Sequence, residues 1–587
     1  MVSHTASQKD STSLNWKTIG QYGLISGLCI VYVCLVGMVE SFHKRDVIFP
    51  ILSLGRALLV ITSLGLGYVI ASKISKGQLS RAIIGGLVGG LISGLMAALL
   101  VTLSTPLNMR QMFVNASPAL NQILTFSQES QTAGLLILIG FLMVLHLFGA
   151  IIYLLPHILR RFVAVGLSAV LVIGMLQELL EVIMTRFDFM KPVAKFLFAK
   201  SGLSIVGAVV VFVVVGGLLA WWAAQGNKVK SQVSRLPASQ QRTLNWVSIG
   251  LGIILLLFLP QIVGSYISQI LVLVGLFALM GLGLNIEIGL AGLLDLGFVG
   301  FYAIGAYIVA IFTSPTELGL SSTLAGVSTG QSFTNFWVVI PLAVAVAALS
   351  GVFLGIPVLR MRGDYLAIVT LGLAEIIRIL VLSDFLRPVL GGAQGILNIP
   401  KPVIGGGLDY TIKDPGQFYY LIIIGCAVIA FIAWRLQFAR IGRNWMALRE
   451  DEDVAEAMGI NLIISKLLAF GIGASFAGLA GAIFAAQVGS IFPHSFQLLI
   501  SVNVVSLVII GGVGSIPGVI VGALVLVGLP ELLREFAEFR LLLYGALLIV
   551  MMLVRPEGLW PSEVTRREMS DDDELVEPIL EAAPASK

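Results

Sequence analysis

The sequence predicts an all-α protein, a polytopic transmembrane helical bundle of about 15–16 membrane segments, some of them broken or re-entrant. Three observations carry this. Mean hydropathy is +0.99, and only 12% of the residues are charged; a water-facing surface needs far more polar area. Apolar runs of about 20 residues recur along the chain, each long enough to cross a bilayer as a helix. The runs are continuous rather than alternating, which argues against a β-barrel.

Taken in order, the first spans are expected near residues 20–39, 47–71, 82–103, 133–155, 162–183 and 203–224. They make an N-terminal six-span membrane region, 1–224, of unknown role. The first apolar run is long and carries no A-x-A-like site, so it reads as a retained span. A polar stretch, Gln225 to Asn245, follows; Lys228, Lys230, Arg235 and Arg242 make it basic, and its Ser, Gln and Pro content suits a linker. Beyond it, segments are expected near 246–260, 263–285, 298–313, 335–360, 365–382, 418–436, 465–488, 498–511, 516–529 and 541–555, forming a second region, 246–560. IIGGVGSIPG breaks an otherwise overlong helix around Gly511–Gly518, and a Gly-rich stretch interrupts Asn285–Gly297. Such breaks are tolerated only where protein or water covers the freed backbone groups. The tail 561–587 is acidic and expected to be disordered.

Orientation follows from Lys and Arg near span ends. If every segment crosses, Lys73, Lys76 and Arg81, then Arg160 and Arg161, then the linker fall on one side, as do Arg360, Arg362, Arg435, Arg440, Arg443 and Arg449. That side is taken as cytoplasmic, with both termini there. Arg555 joins it if the Gly511–Gly518 break turns the chain back. Arg186, Lys191, Lys195 and Lys200 fall opposite; either they lie on an interfacial amphipathic helix or the span count differs there.

Several function classes find no support. The three cysteines, Cys29, Cys34 and Cys426, sit in apolar runs and read as buried small hydrophobes. The five histidines are scattered, so no metal is expected. A net charge of +4 is too small to argue for nucleic acid. No GxxxxGK[ST] occurs, so the chain has no ATPase site of that type. No nucleophile–base constellation stands out, and the chain reads as a non-enzyme with no catalytic residue.

Four stretches carry the remaining signal. GRNWMALREDEDVAEAMGIN, Gly442–Asn461, is a charged island between apolar segments. Asp453 and Glu456 have capping-box spacing, and Gly459 stands where a left-handed residue would close a short helix, Val454–Met458. Val454, Ala457 and Met458 give it an apolar face suited to another protein's groove; the plainer reading is a solvated loop. A helical piece at Asn444–Arg449 precedes it, as a possible continuation of the span before. In GLNIEIGLAGLLDLGFVGFYAIGAY, Asn285, Glu287 and Asp295 lie among Gly289, Gly292 and Gly297. These residues, with Gly511, Gly512 and Gly514, are the candidate translocation pathway, with tight packing as the alternative. Glu375 and Arg378 stand three apart on one helix face and are expected to pair structurally. In GASFAGLAGAIFA, Ala474/Gly478 and Ala477/Gly481 mark a packing face. In the N-terminal region, Arg56, Gln177, Glu178 and Glu181 are placed inside spans, as an Arg–Glu pair or as an ion site. The Gly391–Pro402 loop, GGAQGILNIPKP, is an external connection that could touch substrate or a partner.

Read together and in order, these motifs, with IIGGVGSIPGVIVGA and VRPEGLW, resemble the LivM-type permease subunit of branched-chain amino acid ABC importers, over about Leu271 to Trp560. The resemblance implies a LivH-like second permease, two ABC ATPase subunits at the cytoplasmic face, which would bind ATP and Mg, and an extracytoplasmic substrate-binding protein. It also implies that the cytoplasmic loop 437–464 holds the coupling helix docked by the ATPase, matched here by Asp453, Val454, Ala455, Glu456, Ala457, Met458 and Gly459. Leu293 and Leu294 stand where relatives often carry polar residues, which implies a drier path. The expected function is a permease subunit for branched-chain or other neutral amino acids in a bacterial or archaeal inner membrane. Urea or short amides as cargo, and an ATP-independent secondary transporter, are the alternatives.

Overall fold

The computed structural model describes residues 16–74, 78–104, 106–222, 238–314, 335–358, 361, 363–404, 410–532, 539–555 and 557–562. Residues 225–237 of the polar stretch, Lys76, Arg360, Arg362 and the tail from residue 563 lie outside them. Among the described residues, twelve helices are long and apolar enough to cross a membrane, and three shorter apolar helices accompany them. The predicted class, a helical polytopic membrane protein, is the one observed. The chain divides into two compact units, Met1–Leu251 and Gly252–Lys587.

In the first unit the long helices are α1 (Trp16–Leu35), α2 (Leu54–Ile74), α3 (Leu79–Ser104), α4 (Gln131–Leu154) and α5 (His157–Met175), with α6 over Ile205–Trp222. Glycines set their spacing. Gly86, Gly90 and Gly94 recur every fourth residue on α3 and face α4; a Cβ built at Gly90 would lie 2.6 Å from Met143 Cα, and one at Gly94 3.0 Å from Ile139 Cα. Gly23 of α1 meets Ile92 of α3 in the same way, at 2.9 Å. Between these faces lies His146, fully buried. Its Nδ1 donates to the Leu142 carbonyl (2.8 Å), so Nε2 accepts from the Ser26 hydroxyl (2.7 Å). This satisfied pair is a core lock of the kind a buried polar group needs.

Two expected spans are corrected here. The segment placed at 47–71 begins later: Asp46–Ile48 and Leu52–Ser53 form a small antiparallel ribbon, and the helix starts at Leu54. The segment at 162–183 ends at Met175, and Gln177–Thr185 is a separate short helix. Gln177, Glu178 and Glu181 therefore leave the long helix. Gln177 donates to Glu181 (3.1 Å) and to the Ala199 carbonyl (3.0 Å), while Glu178 pairs with Arg45 at 3.6 Å. Arg56 lies over the Phe126 ring, 5.0 Å from its centroid, and is not in the Glu178 pair. Lys191 and Lys195 fall on the short helix Lys191–Leu197, exposed, with Lys191 bonded to Asp188 at 2.6 Å. Cys29 is exposed, contrary to expectation, while Cys34 is buried and Cys426 half-buried; all three are free.

The second unit begins within α7 (Ala238–Leu284), and the last residues of the polar stretch are helical. The helix carries Pro260 and is broken at Gly264, whose φ is 86° and ψ 178°. Proline has no N–H to give the carbonyl four residues back. That carbonyl, Leu256, instead accepts from the Tyr419 hydroxyl, and its neighbour Leu257 from Tyr420, both at 2.8 Å. A π-helical turn, Asn285–Leu290, ends α7. Then come α8 (Phe298–Thr313), α9 (Phe336–Val358), α10 (Asp364–Leu382), α11 (Pro415–Gln437), α12 (Arg440–Glu450), α13 (Glu452–Ala457), α14 (Leu462–Val488), α15 (Leu498–Gly511), α16 (Ile516–Ala523) and α17 (Arg540–Val554).

Helix α14 is the hub. Its small residues admit both neighbours: Gly478 meets Gly305 of α8 and Ala347 of α9, Gly481 rests on the Tyr302 carbonyl, and Ala474 receives Gly351. The small-residue pairs read in the sequence are this packing face. Helices α15 and α16 fold back on each other, Gly511 against the Gly518 carbonyl and Gly522 against that of Leu507. The break around Gly511–Gly518 is thus a tight helical hairpin, as its Gly and Pro content predicts.

Candidate functional site

The charged island folds as two helices hinged at one acid. Helix α12 is separate from α11 and does not continue it: Ala439 is extended, with φ −77° and ψ 171°, and Gly442 tucks under the Leu436 and Gln437 carbonyls, where a side chain would clash. Helix α12 ends at Glu450, and extended Asp451 caps the next helix, its carboxylate accepting from the N–H groups of Asp453 (2.9 Å) and Val454 (3.0 Å). The expected capping box from Asp453 to Glu456 does not form. Two aspartates in the acidic run, Asp451 and Asp453, could each serve as N-cap; the end of α12 selects Asp451, where the backbone is extended. Asp453 and Glu456 lie inside α13 instead.

The C-terminal end is as expected in kind. Gly459 has φ 87°; its N–H donates to the Glu456 carbonyl (2.9 Å), and Ile460 N–H reaches back to Ala455 (3.1 Å). This double closure is a Schellman motif, which needs a left-handed residue at that position. Met458 is the capping residue and not a helical one. Ala455 alone turns inward, at 2% exposure, while Val454 (59%) and Met458 (79%) face outward beside exposed Ala457. The three apolar residues read as one face are therefore a solvent-facing patch on a rigidly capped helix.

Three polar ties hold this loop to the fold. Trp445, fully buried, donates its indole N–H to the Ser465 carbonyl at 2.8 Å. Lys466, 4% exposed, pairs with Glu452 at 2.8 Å. Arg449 donates from Nη1 to the Gly289 carbonyl at 2.8 Å. That carbonyl belongs to the last turn before the chain leaves the helix, where no intrahelical partner follows. A charged donor to such a group contributes about 1.5–3 kcal/mol.

The Arg449 bond joins the island to the glycine breaks. Asn285 accepts from the Gly514 N–H at 2.8 Å, across 229 residues of sequence. Gly289 packs on the same spot, 2.6 Å between a built Cβ and Gly514 N. Gly292, with φ 71°, lies against the Arg449 backbone, where a Cβ would sit 3.2 Å from Cα. Gly512 (φ 121°) and Gly514 (φ 80°) form the turn of the α15–α16 hairpin. The C-terminal VRPEGLW motif seals that turn: Leu559 and Trp560 donate their N–H groups to the carbonyls of Ile510 (2.8 Å) and Gly511 (2.9 Å), and Gly558 at φ 89° lets the strand approach. Asn285, Gly289, Gly292, Gly511, Gly512 and Gly514 thus form one junction at the α12 end of the unit.

Glu287 and Asp295 are elsewhere, inside the unit, at 0% and 1% exposure. Asp295 accepts from the Gly297 N–H at 2.6 Å, and Gly297 abuts the Thr370 carbonyl. Asp295 is the acidic neighbour of Glu287, whose side chain rests against Gly473 of α14. Neither Glu287 oxygen, nor Asp295 Oδ2, has a hydrogen-bond partner among the described residues. Buried acceptors left open are costly, and a proton on one of these carboxyls would be shared with the other, its side-chain neighbour. Asp295 also lines a narrow cleft with Phe301, Leu354, Leu373, Ile377 and Phe470. No cluster with metal-binding composition occurs among the described residues.

Glu375 and Arg378 make the expected pair, with Arg378 Nε 2.9 and 3.0 Å from the two carboxylate oxygens; both side chains are partly exposed on α10. The Gly391–Pro402 loop closes the far end of α14. Ile396 and Ile491 exchange N–H bonds at 3.0 Å, and Lys401 donates to the Ala486 (3.2 Å) and Gln487 carbonyls. Burial lowers the Lys401 pKa below the ordinary lysine value. Sequence reasoning missed three residues here, Trp445, Lys466 and Leu559. A lone lysine in the apolar run 462–488 was the available signal for the second and the VRPEGLW motif for the third; Trp445 left none.

A family model described as branched-chain amino acid transport system / permease component matches residues 266–554. The chain is 41% identical over 322 residues to the high-affinity branched-chain amino acid transport system permease protein LivM of Escherichia coli (strain K12), covering 51% of this chain and 72% of that protein. Identity to the LivM protein of Salmonella typhimurium is 42%, over 49% of this chain and 68% of that one. The LivH protein of Escherichia coli (strain K12) is 25% identical, over 48% and 90%. No solved structure matches.

Proposed function

The chain belongs to the branched-chain amino acid transport system permease family, and from that premise we propose that it is the transmembrane permease subunit of an ATP-driven importer of branched-chain amino acids. It pairs with a LivH-like permease, receives cargo from a binding protein outside the membrane, and is driven by two separate ATPase subunits that bind ATP and Mg. The membrane is the cytoplasmic one, with the α12–α13 loop and both termini on the cytoplasmic side. The observation that carries the reading is α13: a short helix, capped at both ends, presenting Val454, Ala457 and Met458 to solvent. A capped helix loses little entropy on docking, and an exposed apolar patch on it fits a partner's groove.

The route for cargo lies along the junction glycines and the Glu287–Asp295 pair. The acid pair can accept an ammonium group, and the narrow, mostly apolar cleft beside Asp295 would have to widen to admit an aliphatic side chain. The test is Ala457→Arg with Met458→Asp, assayed in proteoliposomes holding the whole importer. The expected result is that uptake falls by about tenfold or more while the chain stays folded. Wild-type uptake in that variant overturns the docking assignment.

A further inference from the structure

We propose that Arg449 is a positioning residue that passes displacement of the docking helix α13 to the junction of the two broken helices. The inference rests on the permease reading above and extends it to a residue in the gap between two sites.

The geometry gives Arg449 neighbours on both sides. It stands in the last turn of α12, two residues before Asp451, the extended hinge and N-cap of α13. Its guanidinium reaches out of the loop to the Gly289 carbonyl at 2.8 Å. Gly292 packs on its backbone, and a Cβ at Gly514 would lie 3.8 Å from Nη1. Through Gly514 the junction continues to Asn285 at 2.8 Å. The side chain therefore bonds the π-turn that ends α7 and lies beside the turn between α15 and α16.

The junction is built on glycine backbone. Gly292, Gly512 and Gly514 hold positive φ, and a glycine backbone changes φ at little steric cost. Around it the helices are locked, glycine to backbone, along α8, α9 and α14. On the other side of the Asp451 hinge, Glu452 is tied to Lys466 of α14, one helix away from the breaks. A force on Val454 and Met458 thus meets two ties to the fold, one at Lys466 and one at Gly289, and Arg449 makes the second. Mere satisfaction of an orphan carbonyl is the plainer role, and the two differ in what they predict.

The experiment reconstitutes the whole importer in proteoliposomes, with branched-chain amino acid as cargo, and measures ATP hydrolysed per molecule taken up for wild type, R449M and R449K. Both variants are expected to co-purify with the ATPase subunits and to hydrolyse ATP within about twofold of wild type, while uptake falls about tenfold in R449M and about threefold in R449K, magnitudes in the range of coupling between sites. The lysine variant is milder because it restores a charged donor without the planar fork. If R449M does not accumulate, R449K alone decides the matter. An unchanged ratio of hydrolysis to uptake overturns the proposal. So does a proportional loss of both with loss of the ATPases, since that outcome makes Arg449 part of the scaffold only. Failure of the permease reading would show differently: the wild-type chain itself would take up cargo without ATP and bring no ATPase through purification.

Discussion

Glu452 and Lys466 show how a charge survives inside an apolar helix. Lys466 lies in the second turn of α14, where the helix dipole disfavours a cation, and it is almost fully buried. The Glu452 carboxylate at 2.8 Å offsets both penalties, and its own side chain keeps some water contact at 20% exposure. Removing one member of such a pair is worse than removing both. Glu452→Gln is therefore expected to destabilise the second unit by about 1–3 kcal/mol, since it strands the ammonium donor. Adding Lys466→Met should recover most of that loss. Thermal unfolding of the single and double variants in detergent checks it; a double variant as unstable as the sum of its parts refutes the pairing argument. Only half of this pair was legible beforehand. Lys466 is conspicuous as a charge in an apolar run, but nothing in the sequence says which of several acids meets it.

At the scale of elements, the two ends of α13 behaved differently as sequence signals. The C-terminal end was legible because left-handed backbone is a local property that glycine alone adopts cheaply, and Gly459 has it. No atom lies within 4 Å of a Cβ built there, so the cost of substitution is one of backbone only. Gly459→Ala is expected to loosen the Schellman closure by about 1 kcal/mol. Hydrogen exchange at the amides of Gly459 and Ile460 should then quicken by about fivefold, without change at Trp445. Unchanged exchange would mean that the cap is not what holds α13. The N-terminal end misled, because Asp451 and Asp453 are equivalent acids until the end of α12 chooses between them. VRPEGLW was legible as a motif but not as a lid. Its N–H groups satisfy carbonyls some 50 residues earlier, at Ile510 and Gly511, a match only the folded chain displays.

At the scale of the whole molecule, the family match and the division into units fall close together, the match covering residues 266–554 and the second unit starting at Gly252. The second unit holds one continuous apolar core, from Ile270 on α7 to Val527 after α16, and the first has cores of its own around α1, α3 and α4. A chain lacking residues 1–237, which leaves α7 whole, is therefore expected to fold. Its thermal unfolding should be a single cooperative transition within a few degrees of that unit's transition in the full chain. Its co-purification with the importer's other subunits should be unimpaired. Aggregation of the truncated chain would show instead that the second unit depends on the first.

By itself the sequence determined the class, the rough place of the apolar helices, the two breaks and a short glycine-closed helix in the charged island. Each of these rests on a local property: run length against bilayer thickness, Gly and Pro against helix continuity, capping residues against free N–H and C=O groups. The tertiary structure decided which of the candidate pathway residues belong together. It put Asn285, the junction glycines and Arg449 in one cluster and Glu287 with Asp295 in another. It also turned the Gly391–Pro402 loop into a cap on α14, and it moved Glu178 out of a span and into a pair with Arg45. These are pairings across tens to hundreds of residues. Hydropathy and spacing report what each segment needs, and only the packed chain shows which distant group supplies it.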